Sequence, residues 1–381
     1  MITREEFDIL CRDEVRTAIR DNCRRNPTEI ALDRRVPEAR LVATQVKYLQ
    51  RALGKLPSYY EAGCILPPRA FEQASSEQCA AHKAIEGERV LDLTCGLGVD
   101  ALFLSRRFRQ VVALERNEVL ANITRENFRR MGITNIEVVT TSAEAYVASC
   151  TDSFDWIYAD PDRRSAEGKK MVRLEDCSPD VLALLPQLKR LSPHLCLKNS
   201  PLFDVDEALR LFPTCRVEVV SLNGECKEVV LYDDGTGPSI TATAIGLGSV
   251  THAEHPIAPP PADFSATPYR WLIIPDVALQ KGRIVRAHLA GKGDCWSENG
   301  YGFAVERPEE VLGRTLEIEA IEPFDPKTLK RSLKGQRVEL LKRDFPLALE
   351  ELRRRLGVRE GCEQRLAFTK IGPDYWTIRL K

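Results

Sequence analysis

The chain has 381 residues, enough for two or three domains of ordinary size. Hydrophobic residues make up 43% and charged residues 29% of it, which is typical of a soluble globular protein, and the net charge of −1 excludes a global basic field that would attract nucleic acid. No apolar run approaches the roughly 18 residues of a transmembrane helix, and the charged N-terminus lacks the apolar core of a signal peptide. We therefore expect a cytoplasmic protein.

The 12 cysteines are scattered along the chain, and no C-x-x-C pair occurs. Several of them, such as Cys196 and Cys215, lie inside apolar runs that read as strands. This distribution is typical of reduced thiols that serve as small core residues. The sequence therefore predicts no metal site.

Residues 1–85 read as a helical region. Apolar residues recur near helical spacing with charges between them, and Pro27 and Pro37 divide the region into separate helices. Near its end, Ser75 and Gln78 have the spacing of a capping box. This pattern predicts that Ser75 is the N-cap of a helix that runs almost to the first strand.

The stretch 90–100, V-L-D-L-T-C-G-L-G-V-D, reads as a strand, a glycine-rich turn and a helix. Gly96 and Gly98 permit a tight bend against a ligand because no Cβ is in the way, and the helix N-terminus behind them offers unpaired N–H groups. The turn also fits the dinucleotide pattern G-x-G-x-x-G/A. However, Asp92 lies four residues before the first glycine, where an acid suits a ligand ammonium better than a pyrophosphate.

The next predicted strand, 110–115, ends in Glu115, 17 residues after Gly98. A carboxylate at this position can accept hydrogen bonds from both hydroxyls of a ribose. Together, Asp92 and Glu115 fit a ligand that has an ammonium at one end and a ribose in the middle. S-adenosylmethionine (SAM) is such a ligand.

From residue 86 to about 235, predicted strands and helices alternate, which indicates an α/β fold with a parallel sheet and right-handed crossovers. The last two runs, 215–222 and 227–233, are joined through Asn223-Gly224-Glu225, which favours an antiparallel hairpin. Ligands of such sheets bind at the carboxyl ends of the strands, so the polar motifs that follow the strands should meet at one edge. Lys198-Asn199-Ser200-Pro201 closes the fifth strand there and suits either substrate positioning or a simple turn.

Three motifs carry a resemblance to a known family. D-L-T-C-G-L-G at 92–98 and V-A-L-E at 112–115 resemble motifs I and II of class I SAM-dependent methyltransferases, and A-D-P-D-R-R at 159–164 stands where that fold carries motif IV. Upstream, Q-A-S-S-E-Q at 73–78 resembles a cofactor-side segment of a bacterial methyltransferase family with a THUMP-like C-terminal domain, related to the trimethylguanosine synthase type. The resemblance implies a Rossmann-like methyltransferase sheet, SAM as cofactor, and a segment 73–78 that folds over the methionine end of SAM.

The resemblance also implies an adenine site after the third strand. In the family, an acid or amide at the position of Glu144 commonly accepts from the adenine amine, while a backbone N–H at Ala143 contacts the ring. Glu144 could equally be a first-turn acid that stabilises the helix dipole. The candidate cofactor-binding residues are Ser75, Asp92, Thr94, Cys95, Gly96, Gly98, Glu115, Arg116, Ala143 and Glu144.

In methyltransferases of this fold that act on base amines, motif IV reads [DNS]-P-P-[YFW], and its first side chain and a backbone carbonyl orient the amine. Here Asp160 and Pro161 keep the pattern, while Asp162 and Arg163 replace the second proline and the aromatic residue. Arginine can stack on a base or clamp a phosphate, and Asp162 could accept a proton. The alternative is that the arginines pair with the acids in a structural turn. The candidate catalytic residues are Asp160, Pro161, Asp162 and Arg163.

Five prolines within 251–268 predict a linker. The strands and helices after it indicate an α+β module of ferredoxin-like type, which the resemblance identifies as THUMP-like. Between Lys327 and Arg359 there are eleven Lys and Arg against four Asp and Glu, a local net charge of +7. True THUMP domains bind RNA, and such a patch can hold several phosphates. The alternative is a pair of charged helices that simply face water.

The favoured interpretation is a SAM-dependent methyltransferase that acts on RNA, with a base amine as one candidate acceptor. One alternative is a methyltransferase for a protein or a small molecule, and another is a SAM-binding RNA-interaction protein without catalysis. NAD-dependent redox chemistry ranks last. The predicted domains are an N-terminal helical region (1–85), a SAM-binding methyltransferase domain (86–250), a Pro-rich linker (251–268) and a THUMP-like α+β domain (269–381).

Overall fold

A computed structural model describes residues 2–163, 174–252, 259–261 and 263–381. The chain forms two compact units. Unit 1 comprises Met1–Cys215 and Val230–Gly237, and unit 2 comprises Arg216–Val229 and Pro238–Lys381. The division into these two units does not test the predicted domain boundaries, which stay a prediction.

Unit 1 begins with short helices, as the N-terminal pattern predicts. Thr3 and Glu6 form a reciprocal capping box at the first helix, and Pro27 occupies the first turn of the third, where its missing N–H costs nothing. The longest of these helices buries one face that includes Val42, Val46 and Leu49. The helices are α1 (Arg4–Leu10), α2 (Asp13–Asp21), α3 (Pro27–Leu32), α4 (Ala39–Lys55), α5 (Pro57–Glu61), α6 (Pro68–Gln73) and α7 (Glu77–His82).

Strands and helices alternate through the next part of the chain. The strands are β1 (Gly87–Asp92), β2 (Phe108–Leu114), β3 (Ile136–Val139), β4 (Trp156–Ala159), β5 (Asp162–Arg163), β6 (Cys177–Ser178), β7 (His194–Asn199), β8 (Arg216–Leu222), β9 (Glu225–Asp233), β10 (Ser239–Ala244) and β11 (Gly248–His252). The helices are α8 (Val99–Leu104), α9 (Glu118–Met131), α10 (Ala143–Ser149), α11 (Val181–Leu191) and α12 (Val205–Leu211), and a 3-10 turn covers Leu174–Asp176.

Five strands of unit 1 form a parallel sheet. Its strands lie in the order β3-β2-β1-β4-β7, every pair is parallel, and β9 is the next neighbour of β7. Because the strand order reverses at β1, the carboxyl ends of β1 and β4 flank a topological switch point, where ligands of such sheets bind. The predicted parallel sheet with helical crossovers is confirmed.

In unit 2, β8 and the first part of β9, up to Val229, are neighbours joined by Asn223 and Gly224, which both have positive φ values, as a tight hairpin turn requires. Two strands that the sequence did not reveal then follow. β10 pairs in parallel with β8, and β11 pairs antiparallel with β10. Their small and polar residues, S-I-T-A-T-A and G-S-V-T-H, lack the apolar alternation on which strand prediction depends.

The rest of unit 2 is an eight-stranded sheet in the order β13-β14-β12-β15-β19-β18-β16-β17. Its strands are β12 (Trp271–Pro275), β13 (Asp294–Cys295), β14 (Gly302–Ala304), β15 (Gly313–Pro323), β16 (Arg337–Lys342), β17 (Arg359–Glu360), β18 (Gln364–Ile371) and β19 (Asp374–Leu380). The helices are α13 (Val277–Lys281), α14 (Val285–Leu289), α15 (Pro326–Leu333) and α16 (Leu349–Leu356), with a 3-10 turn at Phe264–Ala266. Helices α13 and α14 are separated at Arg283, which has a φ of 56°.

The C-terminal module is α+β, as predicted. Its part from β15 to β19 runs β-α-β-α-β-β when the two-residue β17 is left out, whereas a ferredoxin-like unit runs β-α-β-β-α-β. Strand β16 pairs in parallel with β18, which requires the crossover that α16 supplies. A two-residue turn, Gly372 and Pro373, then makes β18 and β19 an antiparallel hairpin. Within the described residues, no helix combines the length and the hydrophobicity needed to cross a bilayer.

Candidate active site

The two glycines of the turn between β1 and α8 have different structural roles. Both have positive φ values, 55° at Gly96 and 84° at Gly98. A Cβ on Gly98 would lie 2.5 Å from Cζ of Phe128 and 2.8 Å from Cγ2 of Thr124, so this glycine allows α9 to pack closely against the turn. A Cβ on Gly96 would meet only a carbonyl oxygen at 3.9 Å. Gly96 therefore keeps open space beside the turn.

Asp92 ends β1 and is 1% exposed. Its Oδ1 atom accepts hydrogen bonds from the backbone N–H and the hydroxyl of Thr94, at 2.9 and 3.4 Å. Its Oδ2 atom is buried and has no hydrogen-bond partner among the described residues. Burial raises the pKa of Asp92 to about 8; the Thr94 N–H opposes the rise, and the charges of Asp100 and Asp160 add to it. Burial thus favours the protonated form of the Asp92 carboxyl.

Asp92→Asn is expected to flatten the pH dependence of stability. The folded-state pKa of about 8 lies above the unfolded value of about 4, so the folded wild type holds an extra proton between these values and loses stability as pH rises through them. The slope is at most about 1.4 kcal/mol per pH unit, and the amide variant lacks it. Denaturant unfolding from about pH 5 to about pH 8 measures both proteins. Parallel curves would contradict this ionisation behaviour.

Glu115 follows β2 and is half-buried. Its Oε2 atom accepts a hydrogen bond from the backbone N–H of Gly96 at 3.1 Å, and its Oε1 atom accepts from the N–H of Asn117 at 2.7 Å. Burial raises the pKa of Glu115, and these two N–H groups oppose the rise. The carboxylate is thus fixed against the glycine turn, and each oxygen retains a second lone pair that a ligand hydroxyl can use.

The segment after β3 forms the next part of the site. Ser142 caps α10 by accepting a hydrogen bond from the N–H of Ala145 at 3.2 Å. Ala143 is buried and Glu144 is exposed in the first turn of α10. Both interpretations of Glu144, adenine contact and helix-dipole partner, are compatible with this position. Arg116 is exposed and donates to the hydroxyl of Ser178 at 3.1 Å.

A cavity of about 390 Å³ within unit 1 brings most of the predicted site residues together. This volume falls in the range of small-molecule and cofactor sites. Asp92, Gly98 and Pro161 stand outside its lining, so the role predicted for Asp92 at a ligand ammonium stays a prediction. The predicted residues that line the cavity are Ser75, Thr94, Cys95, Gly96, Glu115, Arg116, Ala143, Glu144, Asp160 and Asp162.

Ser75 is not a helix cap. Helix α7 begins at Glu77, and its N-cap is Ser76, whose side chain accepts a hydrogen bond from the N–H of Cys79 at 3.2 Å. Because the helix begins one residue later than predicted, the Ser75 hydroxyl points elsewhere. It donates to Oδ2 of Asp100 at 2.7 Å and accepts from Nζ of Lys198 at 2.8 Å.

These contacts belong to a buried cluster of charges that the sequence did not reveal. Nζ of Lys83 lies 2.8 Å from Oδ1 of Asp100, and Nζ of Lys198 lies 3.7 Å from Oδ2 of the same residue. Burial would raise the pKa of Asp100, but Lys83 and Lys198 hold it well below its usual range. Asp100 could have been suspected from its place just after the glycine turn. Lys83 lies between the segment 73–78 and β1, and no sequence pattern indicated that its side chain, only 1% exposed, would be buried beside Asp100.

Motif IV is connected directly to the glycine turn. The backbone N–H of Asp160 donates to the hydroxyl of Thr94 at 2.7 Å, and Oδ2 of Asp160 accepts a hydrogen bond from Lys198. After Pro161, strand β5 pairs antiparallel with β6. Burial raises the pKa of Asp162, and the charge of Asp160 raises it further. The side chain of Arg163 and all of residues 164–173 lie outside the described part, so base stacking by these arginines stays a prediction.

Two family models match parts of this chain. Residues 72–176 match the model described as Conserved hypothetical protein 95, and residues 313–379 match the model described as THUMP domain-like. The second match confirms the predicted THUMP-like domain at the C-terminal end of the chain.

The curated proteins that resemble this chain include RNA methyltransferases. The 23S rRNA (uracil(1939)-C(5))-methyltransferase RlmD of Alkalilimnicola ehrlichii is 36% identical over 30% of this chain and 28% of that protein. A tRNA (uracil(54)-C(5))-methyltransferase of Pyrococcus horikoshii is 27% identical over 41% and 39%. Ribosomal RNA small subunit methyltransferase J of Coxiella burnetii is 32% identical over 29% and 49%. The chain thus spans less than half the length of these relatives.

A solved structure resembles this chain along its whole length. It is a protein of Porphyromonas gingivalis W83 described as a candidate methyltransferase, with a TM-score of 0.82 and 24% identity over 100% of this chain and 99% of that one. At this identity the likeness shows the fold alone. It confirms the predicted fold class, a Rossmann-like methyltransferase sheet with an N-terminal helical region and a C-terminal α+β domain.

Proposed function

We propose that this protein is a SAM-dependent methyltransferase that acts on RNA. The observation that carries the proposal is the cavity of about 390 Å³, because it joins the ends of four strands of a methyltransferase-type sheet in one site. Glu115 comes from β2, Ala143 and Glu144 follow β3, and Asp160 follows β4. The glycine turn after β1 forms the wall between them. The similarity to RNA methyltransferases supports the same interpretation.

The residues of the cavity fit SAM. Glu115 presents a carboxylate with spare lone pairs to a ribose, and Gly96 leaves room for a ligand to approach the backbone. The N-terminal end of α10, with Ala143 and Glu144, offers a backbone N–H and an acid to an adenine. When bound, SAM supplies a methyl group that its sulfonium charge already activates. The task left to the protein is to hold the acceptor in line with that methyl group.

The acceptor would be held at motif IV. Asp160 lines the cavity, and its side chain is 35% exposed, so an incoming substrate can reach it. With the carbonyl of Pro161 it can accept hydrogen bonds and orient the attacking atom. Among the described residues lining the cavity, Cys95 is the one thiol, and burial raises its pKa well above the usual value. Burial thus disfavours a thiolate nucleophile at Cys95, and the proposed reaction is direct transfer of the methyl group from SAM to the acceptor.

RNA binding is assigned to the C-terminal basic surface, which we define as the exposed cations Lys327, Lys330, Arg331, Lys334 and Arg354. Others of the eleven basic residues are engaged: Arg353 pairs with Glu360 at 3.3 Å and Arg355 pairs with Glu351 at 2.5 Å. The apolar sides of α15 and α16 pack in a common core cluster, so their charged sides face outward. Such a surface can bind phosphates without reading sequence. The predicted cytoplasmic location belongs to this proposal.

Lys330→Ala/Arg331→Ala/Lys334→Ala is expected to weaken RNA binding about 10- to 100-fold at moderate salt and to lower the slope of log K against log salt by about 2–3. Each lost cation removes about one phosphate contact. Fluorescence anisotropy with labelled RNA over a salt series measures both quantities. A variant of equal charge change, Arg12→Ala/Arg24→Ala/Arg34→Ala, at exposed positions between the N-terminal helices, serves as control. Equal losses in the two triple variants would contradict the assignment to this surface.

A labelled methyl group tests the proposed activity. Purified protein and SAM with a labelled methyl would be added to extract from cells that lack the gene, and RNA, protein and small molecules would then be separated. Label in RNA is the expected result, and digestion to nucleosides would identify the acceptor atom. Label in protein or small molecules would reject RNA as the substrate. Absence of label, with SAM bound, would reject the enzyme and favour a SAM-binding protein.

A further inference from the structure

Lys198 stands beside Asp160 because of the register of the sheet. Strands β4 and β7 are parallel neighbours, and Ala159 lies opposite Leu197, so the next residue of each strand reaches the carboxyl edge together. The Lys198 side chain is only 11% exposed. A lysine at the end of a buried strand is costly unless its ammonium is compensated.

The Lys198 ammonium is compensated by residues of two different parts of the site. It donates to Oδ2 of Asp160 at the acceptor corner and to the hydroxyl of Ser75 in the segment before α7, at 2.8 Å for the latter. Asp100 lies farther away, at 3.7 Å, and has a closer cation in Lys83 at 2.8 Å. The shortest ion pair of Lys198 in the cluster is therefore the one with Asp160.

The geometry points to Lys198 as a positioning residue for methyl transfer, which acts by holding one oxygen of the Asp160 carboxylate; this inference rests on the proposed function. A carboxylate can rotate about its terminal bond, and both oxygens can compete for an acceptor proton. Fixing Oδ2 leaves Oδ1 as the oxygen that can accept a hydrogen bond from the substrate. Through Ser75, the Lys198 ammonium also connects Asp160 to the segment 73–78, which the sequence predicts to lie near the cofactor.

Lys198→Met is expected to lower kcat about 10- to 100-fold, because a loosened catalytic group loses alignment, while the Kd of SAM changes less than about threefold. A purely structural role of Lys198 would change both kcat and the Kd of SAM. Lys198→Arg keeps a cation but not the geometry of a point charge, so it should recover only part of kcat. Single-turnover kinetics and calorimetry would give the two quantities. A fall in SAM affinity as large as the fall in kcat would overturn the inference.

A double-mutant cycle tests whether Lys198 acts through Asp160. In an Asp160→Asn background, Lys198→Met should lower kcat little further, since the group it positions is already changed. Lys83→Met removes a buried lysine of the same cluster and serves as the matched control, whose effect should multiply with that of Asp160→Asn. The inference would be overturned if the effects of Lys198→Met and Asp160→Asn on kcat were independent. It would also be overturned if Lys83→Met were coupled to Asp160→Asn as strongly as Lys198→Met is. If Lys198→Met does not fold, Lys198→Arg carries the same cycle.

A spectroscopic measurement separates this inference from the proposed activity. The carboxyl carbon signal of Asp160 in 13C-labelled protein, identified by its loss in Asp160→Asn, should shift in Lys198→Met without any substrate present. An unchanged signal would overturn the pairing even if methyl transfer is established. A shifted signal together with no methyl transfer by the wild type would instead uphold the pairing and reject the proposed function.

Discussion

Asp160→Ala is expected to lower kcat for methyl transfer by about 10²- to 10⁴-fold while the Kd of SAM changes less than about threefold. The backbone of Asp160 is held by its own N–H, which donates to the Thr94 hydroxyl at 2.7 Å, so the substitution should leave the turn in place. What it removes is the carboxylate that lines the cavity at the end of β4. The loss should therefore appear in the transfer step and not in cofactor binding.

Asp160→Asn is the matched variant for this experiment. It keeps the shape of the side chain and one hydrogen-bond acceptor but loses the negative charge that faces Lys198. Single-turnover rates with saturating SAM would show whether the charge or the acceptor atom matters. If the asparagine variant retains most of kcat, Asp160 orients the acceptor and takes no proton. Wild-type turnover in Asp160→Ala would remove Asp160 from the catalytic assignment altogether.

The second large effect is expected at Gly98. Gly98→Ala should lower the free energy of unfolding by about 2–4 kcal/mol, combining the cost of a left-handed backbone with that of overpacking. At a φ of 84°, the added methyl would lie 2.5 Å from Phe128 and 2.8 Å from Thr124, which are both on α9. To relieve the clash, either the turn or the helix must move, and with it the Glu115 contact to Gly96.

Gly96→Ala is the natural control, because Gly96 belongs to the same turn but has no side chain within van der Waals contact of a Cβ. Its φ of 55° lies in the left-handed region, so a cost of only about 1–2 kcal/mol is expected. Since Gly96 lines the cavity, Gly96→Ala should lower the free energy of SAM binding more than it lowers the free energy of unfolding. Denaturant unfolding and calorimetry on both variants would test the contrast. Equal stability losses would contradict the packing role of Gly98.

Much of unit 1 was predictable because its signals are local. The strand, glycine turn and helix around Gly96 and Gly98 follow from backbone freedom at two residues, and the acid at the end of β2 follows from its position after an apolar run. Since parallel strands share one edge for their carboxyl ends, the meeting of Glu115, Glu144 and Asp160 at one cavity could be expected from the sequence alone. The THUMP-like character of the C-terminal end was expected from the resemblance of the upstream motifs to a family that carries such a domain.

Other features depend on partners that are distant in sequence. The capping pattern at Ser75 fits a helix start locally, yet the helix begins one residue later, and Ser75 bonds instead to Asp100 and Lys198. The spatial order of β15 to β19 depends on which strand β16 pairs with. The periodicity of side chains along a strand does not indicate its pairing partner. Strands β10 and β11 form from small and polar residues because neighbouring backbone supplies their hydrogen bonds.

The sequence by itself determined the class of fold, the glycine turn and the edge of the sheet where the candidate site lies, because backbone conformation and side-chain alternation act over a few residues. Only the tertiary structure decided that Lys83 and Lys198 share one buried cluster with Asp100 and Asp160. Buried charges are tolerated only where opposite charges meet them. These opposite charges come from separate elements of the chain, and they meet only once the sheet has formed.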